Sequence, residues 1–409
     1  MLCLPKAIFV FGGYNTRLLI NEDEDMSREF FIPKKIISGS GALEALSDIV
    51  ENYGRKPLIV TGQNVRKLEC FSALCEMLKG CGLSYAVFDG ITGEPDDVMI
   101  AKGAEKYKDE GCDFLIAIGG GRPIDSMKAI AVNVSGERKI CDYYGEIIDI
   151  RLPGMIAIPT TAGTGSEATQ FTVITDTKRN IKMLLKGTVL VPDVAVVDGS
   201  FGISAPKSVT ASTGLDALTH AVEAYTSRRA QPLTDSVCIS AVKRLFKYLP
   251  KAYADGNDLT ARNETAIAAL EAGIAINNSS VTIVHGMSRP IGAIYHVAHG
   301  LSNAMLLYKC ISFALDGAVN RFASLGRAIN AADKTADDKA AALAFLEAIG
   351  DICKKLEVPT LAGYGIDKED FFGNIDKMAD DALASGSPAN TAKEVTKADI
   401  ISIYQSLFS

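Results

Sequence analysis

The sequence predicts an α/β half built on a parallel sheet, followed by an all-α half. Three observations carry this prediction. Short β-branched runs alternate with helical patterns as far as about residue 204. Glycine- and hydroxyl-rich turns follow the apolar runs. Beyond that point the β-rich runs stop, and alanine-rich helical patterns take over.

Length and composition set the frame. A chain of 409 residues is too long for one compact core and points to two domains. Hydrophobic residues make up 48% and charged residues 22%, the balance of a soluble globular protein. The net charge is −7 and no basic stripe is visible, which argues against nucleic acid or a membrane as partner. A small anionic molecule remains compatible, because one local Arg or Lys can hold it. Nine cysteines are scattered without a C-x-x-C pair and read as reduced thiols of a cytoplasmic protein. No run reaches the roughly 18 apolar residues of a membrane span. Residues 1–25 end in the acidic NEDED and read as an extension outside the fold, with Met26 as a natural start.

Within 26–205, PLIVTG (57–62), SYAVFDG (84–90), FLIAIGGG (114–121) and MIAIPTT (155–161) read as strands. Helical patterns end near Lys79 and cover 96–110 and 124–134. Parallel sheets of this kind bind ligands at the carboxyl ends of their strands. Three turns fall there. Gly119-Gly120-Gly121 lets the backbone approach a phosphate, with Asp125 and a helix N-terminus following. Pro123 suits the first turn of that helix. The pattern is not G-x-G-x-x-G, and a tight strand-to-helix turn explains it equally. Thr160, Thr161 and Thr164 sit in a hydroxyl- and glycine-rich loop that can hydrogen-bond a ribose, an amide or a phosphate. The third turn places Gly62 where an acidic residue would contact the ribose hydroxyls, with Arg66 and Lys67 nearby. That leaves room for NADP as well as NAD.

From 206 to 409 the predicted helices cover 214–227, 233–254, 259–278, 303–329, 336–355 and 368–383. Ser212 or Thr213 is expected to cap the first of them. Asp216 and His220 then lie one turn apart on one face. The chain has only four histidines, and the other three, His285, His296 and His299, fall within fifteen residues. His285 alone would be read as a hydrogen-bonded core histidine. Asp216, His220, His285 and His299 together make a mixed oxygen and nitrogen set for Fe²⁺, Zn²⁺, Mn²⁺ or Co²⁺. Four protein ligands favour ferrous iron, with Zn²⁺ possible.

The motifs GGGRPIDSMKA, IPTTAGTGSEAT, TGLDALTHAVEAY and the His285–His299 stretch running on into GLSNAML resemble the iron-containing (group III) alcohol dehydrogenases. The likeness spans about 28–409. It implies the dehydroquinate synthase-like fold: a dinucleotide-binding α/β domain at 26–205, a helical metal-binding domain at 206–409, and a site between them. It implies metal ligation by the four residues above. It also implies dinucleotide binding through Gly119, Gly120, Asp125, Thr160, Thr161, Thr164 and Lys182, with Gly62 and Gly121 beside them. The implied chemistry is hydride transfer between NAD(P) and a short-chain alcohol or aldehyde in a homo-oligomer of two or more copies. The proton leaves through water or the ribose hydroxyl, with His296 as a second contributor.

Two positions depart from the family pattern. Arg122 follows the glycines where Ser is usual. Arg289 stands where a second His is common, near substrate and nicotinamide. A guanidinium there suits a planar anion, so the expected substrate carries a carboxylate or sulfonate, as sulfoacetaldehyde does. The plain alternatives are that Arg289 pairs with an internal carboxylate, and that the substrate is a neutral primary alcohol or diol. Outside this class stand a dehydroquinate synthase-like lyase and a non-catalytic metal- and nucleotide-binding protein.

Overall fold

The computed structural model describes residues 27–408; the expected extension at 1–25 lies outside them. The first half runs β1 Lys35–Ser38, α1 Ala42–Ser47, β2 Pro57–Val60, α2 Glu69–Gly80, β3 Ala86–Phe88, α3 Asp97–Asp109, β4 Phe114–Gly119, α4 Gly121–Ser135, β5 Met155–Pro159, β6 Phe171–Asp176, β7 Ile181–Lys186 and β8 Val194–Val197. Helices α5 Lys207–Thr226, α6 Pro232–Ala254, α7 Leu259–Ser279, α8 Ile283–Tyr295, α9 His299–Ala314, α10 Val319–Ala328, α11 Asp338–Lys355, α12 Leu361–Tyr364, α13 Lys368–Ala384 and α14 Lys397–Ser406 form the second.

Six strands make one parallel sheet in the order β1-β8-β5-β4-β2-β3. Strands β2, β4, β5 and β8 are buried along their whole length, as continuous apolar runs require when helices cover both faces. Side chains of β4 alternate between the two layers. Leu115 and Ala117 pack with Ile100 of α3 and Met127 of α4, whereas Phe114, Ile116 and Ile118 pack with Leu46 of α1 and Leu74 of α2. The chain crosses from the β1 edge to the β3 edge, then returns to β4 on the other side of β2. Direction therefore reverses at β2 and β4, and a crevice opens at their carboxyl ends. The Thr61 hydroxyl donates to Ile118 O at 2.8 Å and ties the two ends together.

Several elements differ from the sequence expectation. Helix α4 begins at Gly121, directly after the strand, so Pro123 lies in its first turn. Strands β6 and β7 form a separate antiparallel hairpin that the alternation did not signal. The expected helix 303–329 is broken, because Asp316 and Gly317 turn the chain between α9 and α10 and Gly317 packs against the Lys393 backbone. Neither Ser212 nor Thr213 caps α5. The helix starts five residues earlier, behind Pro206, and both hydroxyls bond back to Val209 O, at 3.2 and 2.8 Å. A continuous helical run leaves those hydroxyls no free N–H groups to serve. Helix α8 occupies most of the His285–His299 stretch, for which no helix is expected from the sequence.

From Gly214 to Thr226, α5 is buried all round, the pattern of a central helix. It packs against α6, α7 and α9. Among the described residues no single helix is long and apolar enough to cross a membrane; α7 and α8 reach that composition only jointly, bent by 105°. The described cysteines are free.

The two halves meet backbone to backbone. Gly165 adopts φ 64°, and a Cβ built there would stand 2.4 Å from Gly273 Cα in α7. Gly165→Ala should therefore combine left-handed strain with a clash that no rotamer relieves. We expect a loss of at least about 2 kcal/mol, combining the backbone strain with the overpacking. At roughly 1–2 °C per kcal/mol for a chain of this size, thermal melts should drop by about 2 °C or more, and an unchanged melting temperature would refute the contact.

Candidate metal and cofactor site

Helix α5 carries Asp216, His220 and Glu223 at i, i+4 and i+7, one stripe on one face. Helix α8 brings His285 and α9 brings His299. Asp216 Oδ1 lies 3.9 Å from His220 Nε2 and 3.8 Å from both His285 Nε2 and His299 Nε2. All four donor atoms fall within 4.8 Å of one another. The close approach of α9 depends on Gly300, since a Cβ there would be 2.4 Å from Ser212 O. Asp216, His220 and His285 are buried, while the His299 side chain is 49% exposed, so the cluster opens on the His299 side.

Electrostatics suit a cation. Burial alone would raise Asp216, but the three imidazoles and the Asn303 N–H outweigh it and hold the carboxyl below its ordinary value. Burial pushes His220 down, and pushes His285 well down with help from His220 and His299. Both are neutral imidazoles, the form that binds metals. One carboxylate with three imidazole nitrogens is a donor set for iron or zinc; these residues fit a divalent metal.

Two residues of this cluster were not singled out in the sequence. Glu223 accepts from the Thr282 hydroxyl (2.7 Å), from Val284 N–H (2.6 Å) and from His285 Nδ1. It thus closes the N-terminus of α8, where an anion is favoured, and aims His285 Nε2 at Asp216. Asn303, four residues after His299, places its amide nitrogen 2.7 Å from Asp216 Oδ1. Both were findable: each continues a ligand's helical face by one turn.

Arg289 follows His285 by one turn on α8. Its side chain is exposed, and among the described residues no hydrogen bond or ion pair engages it, so the internal-carboxylate alternative is not realised. The mass around it depresses its guanidinium, Glu223 acts in the opposite sense, and Arg289 in turn helps to lower His285. His296 is exposed and forms the left-handed end of α8, with φ 54°. It stands apart from the four-residue cluster.

At the sheet crevice, the loops after β4 and β5 pack on each other. Thr160 N donates to Gly119 O at 2.9 Å. A Cβ on Gly121 would meet Thr164 Cγ2 at 2.8 Å, and one on Gly120 would meet Thr161 Oγ1 at 3.2 Å. Gly119 has φ 150° and abuts Pro123. The triple glycine is thus required by the threonine loop as well as by any phosphate. Asp125 is turned inward: it accepts from Val173 N at 3.0 Å and anchors β6. Beside it, the fully buried Lys128 donates to Thr169 O, Thr169 Oγ1 and Phe171 O at 2.7–3.0 Å, and burial lowers it to about 8. Glu94 bridges Arg122 (2.7 Å) and Lys182 (3.2 Å) at the crevice mouth. Gly62 bridges to Gly90, and Arg66 pairs with Asp89 just past β3, an acidic strand end that sequence reading passed over.

Residues 33–199 match the iron-containing alcohol dehydrogenase family, and residues 210–408 match its C-terminal region. The chain belongs to the iron-containing alcohol dehydrogenase family. This alcohol dehydrogenase is an oxidoreductase, with iron and a nicotinamide dinucleotide as cofactors. It is 33% identical to a choline dehydrogenase of Bacillus subtilis (strain 168), over 93% of this chain and 95% of that one. Its fold matches a 1,3-propanediol oxidoreductase structure with a TM-score of 0.91 at 30% identity, over 94% of this chain and 100% of that one. It also matches a sulfoacetaldehyde reductase from Bifidobacterium kashiwanohense in complex with NAD⁺, with a TM-score of 0.83 at 29% identity, over 94% and 100%.

Proposed function

We propose that this alcohol dehydrogenase transfers hydride between NAD(P) and a short-chain alcohol or aldehyde bearing a sulfonate or carboxylate, and that Arg289 binds that group. The observation that carries the reading is an accessible guanidinium one helical turn from His285, without a hydrogen bond or ion pair among the described residues. Gly119–Gly121 and the N-terminus of α4 would hold the pyrophosphate of the dinucleotide in the crevice. Lys182 and Arg122 supply positive charge there once Glu94 gives way. Asp216, His220, His285 and His299 would hold the metal, whose Lewis acidity would be available to the substrate oxygen. Arg289 orients the substrate's anionic end in a two-pronged hydrogen bond. The cluster's open side at His299 is the entry for the substrate oxygen. No side chain is assigned as base; the proton leaves through water or the ribose hydroxyl.

Sulfoacetaldehyde is the substrate class named for the reductase of similar fold, whereas choline carries the opposite charge. A cationic alcohol would meet repulsion at Arg289. The test compares Arg289→Ala with wild type on sulfoacetaldehyde and on a neutral aldehyde of equal length. A charge-assisted hydrogen bond contributes about 1.5–3 kcal/mol, so KM for the sulfonate should rise about 10- to 100-fold while the neutral aldehyde changes little. Equal effects on both would transfer the assignment to the neutral-alcohol or diol reading.

A further inference from the structure

Glu94 ties together the two cations at the mouth of the crevice. It follows β3, in the loop that leads into α3. Pro95 O accepts from Thr175 N at 2.8 Å, which pins this loop to β6, and Thr175 stands opposite Lys182 in the β6–β7 register. Arg122 is the second residue of α4, directly after Gly121. Three elements thus bring one carboxylate between two cations. Glu94 Oε1 accepts from Arg122 Nε at 2.9 Å and Nη2 at 2.7 Å, and Oε2 accepts from Lys182 Nζ at 3.2 Å. All three side chains are about half exposed, so they can part without opening the core.

The arrangement consumes what a pyrophosphate needs. Nε and Nη2 form one edge of the guanidinium, an edge that can grip a phosphate, and both are spent on Glu94. A carboxylate that only oriented Arg122 would leave that edge free. Burial would raise the Glu94 carboxyl, but Lys182 and Arg122 outweigh it and hold it below its ordinary value. It therefore stays charged at neutral pH and does not release the cations by taking up a proton. An incoming anion must displace it. One negative charge faces two positive ones here, whereas a pyrophosphate brings two negative charges to the same pair. Opposite charges at such short range attract in proportion to their product, so the exchange favours the pyrophosphate, and the carboxylate opposes it.

Resting on the dinucleotide reading of the crevice above, we propose that Glu94 is a displaceable counter-ion that limits how tightly the dinucleotide is held. Carboxylate and pyrophosphate compete for Arg122 and Lys182. The carboxylate stays on a pinned loop within reach of both cations, so it returns as the pyrophosphate loosens and speeds release of the spent cofactor. The competition depends on Arg122, one of the two positions that depart from the family pattern.

The test titrates the full-length protein with NADH and with NADPH by their fluorescence change on binding. The tighter of the two is then followed in stopped flow as an excess of its oxidised form displaces it. Glu94→Gln should tighten binding about 3- to 10-fold, the scale of two part-exposed ion pairs, and slow release by a similar factor. Melts of the cofactor-free variant should match wild type, since such pairs add little to stability. Arg122→Ser should weaken binding more in the Gln background than in wild type, because only there is the guanidinium uncommitted. Equal costs in both backgrounds, or unchanged or weaker binding by Glu94→Gln, would overturn the proposal alone, since a carboxylate that orients the two cations predicts weaker binding when it is removed. Binding that withstands Arg122→Ser and Lys182→Ala together would overturn the reading of the crevice itself, and this proposal with it.

Discussion

An Asp216→Ala enzyme is expected to emerge from gel filtration free of metal and to turn over alcohol at about one thousandth of the wild-type rate or less. Asp216 is the one carboxylate among the four candidate ligands, and its Oδ1 is within 3.9 Å of all three histidine nitrogens. Removing it leaves only neutral imidazoles as ligands for a divalent ion. Lewis-acid stabilisation of the developing oxygen charge is worth several kcal/mol, and each 1.36 kcal/mol is a factor of ten. The same loss should follow treatment of wild-type enzyme with a chelator, and anaerobic Fe²⁺ should restore the wild type but not the variant. Metal content by atomic emission and initial rates are the measurements. A variant that keeps stoichiometric metal and more than a tenth of the rate would remove Asp216 from the ligand set.

The second large effect concerns a residue that is not a ligand but holds one in place. Glu223 divides its two oxygens: one serves the Thr282 hydroxyl and Val284 N–H, the other His285 Nδ1. Glu223→Gln keeps an oxygen for the first pair but turns an NH₂ towards Nδ1. The imidazole must then accept at Nδ1 and carry its proton on Nε2, the nitrogen aimed at Asp216. Metal affinity should fall about 10- to 100-fold with little change in the metal-free melting temperature. Glu223→Ala should do both: it strands three buried donors at about 1–3 kcal/mol each, so affinity and stability fall together. If Gln and Ala lower the metal-free melting temperature equally and leave affinity alone, Glu223 is a packing residue and not an orienting one.

The parts of this molecule that were legible in its sequence are those whose signal is periodic or compositional. Buried strands such as FLIAIG and the helical patterns of α3, α6, α7 and α11 repeat over enough residues to be read. The histidine cluster was legible because imidazole is so rare in this chain. The hairpin β6–β7 was not, because its strands alternate between buried and part-exposed residues inside a polar stretch. Helix α8 was masked by Gly286, Pro290 and Gly292, residues that ordinarily interrupt helices. The true start of α5 was hidden by two hydroxyl residues that look like caps and bond back into the helix instead. Glu223 and Asn303 escaped because their meaning lies in what they touch across the fold. Asp89 did too: it ends a strand neighbouring the one on which an acidic residue was sought.

The meeting of Gly165 and Gly273 has a mechanical consequence. Where two elements press together through side chains, rotamer changes let them slide closer or ease apart. At this point the threonine loop and α7 meet through the main chains of Gly165 and Gly273, and no torsion of a side chain shortens that distance. The crevice can swing about this point but cannot be squeezed past it. The separation between the glycine-lined crevice and the helices that carry the histidines thus has a hard lower limit, so a bound dinucleotide meets a gap of set width instead of one it must hold open.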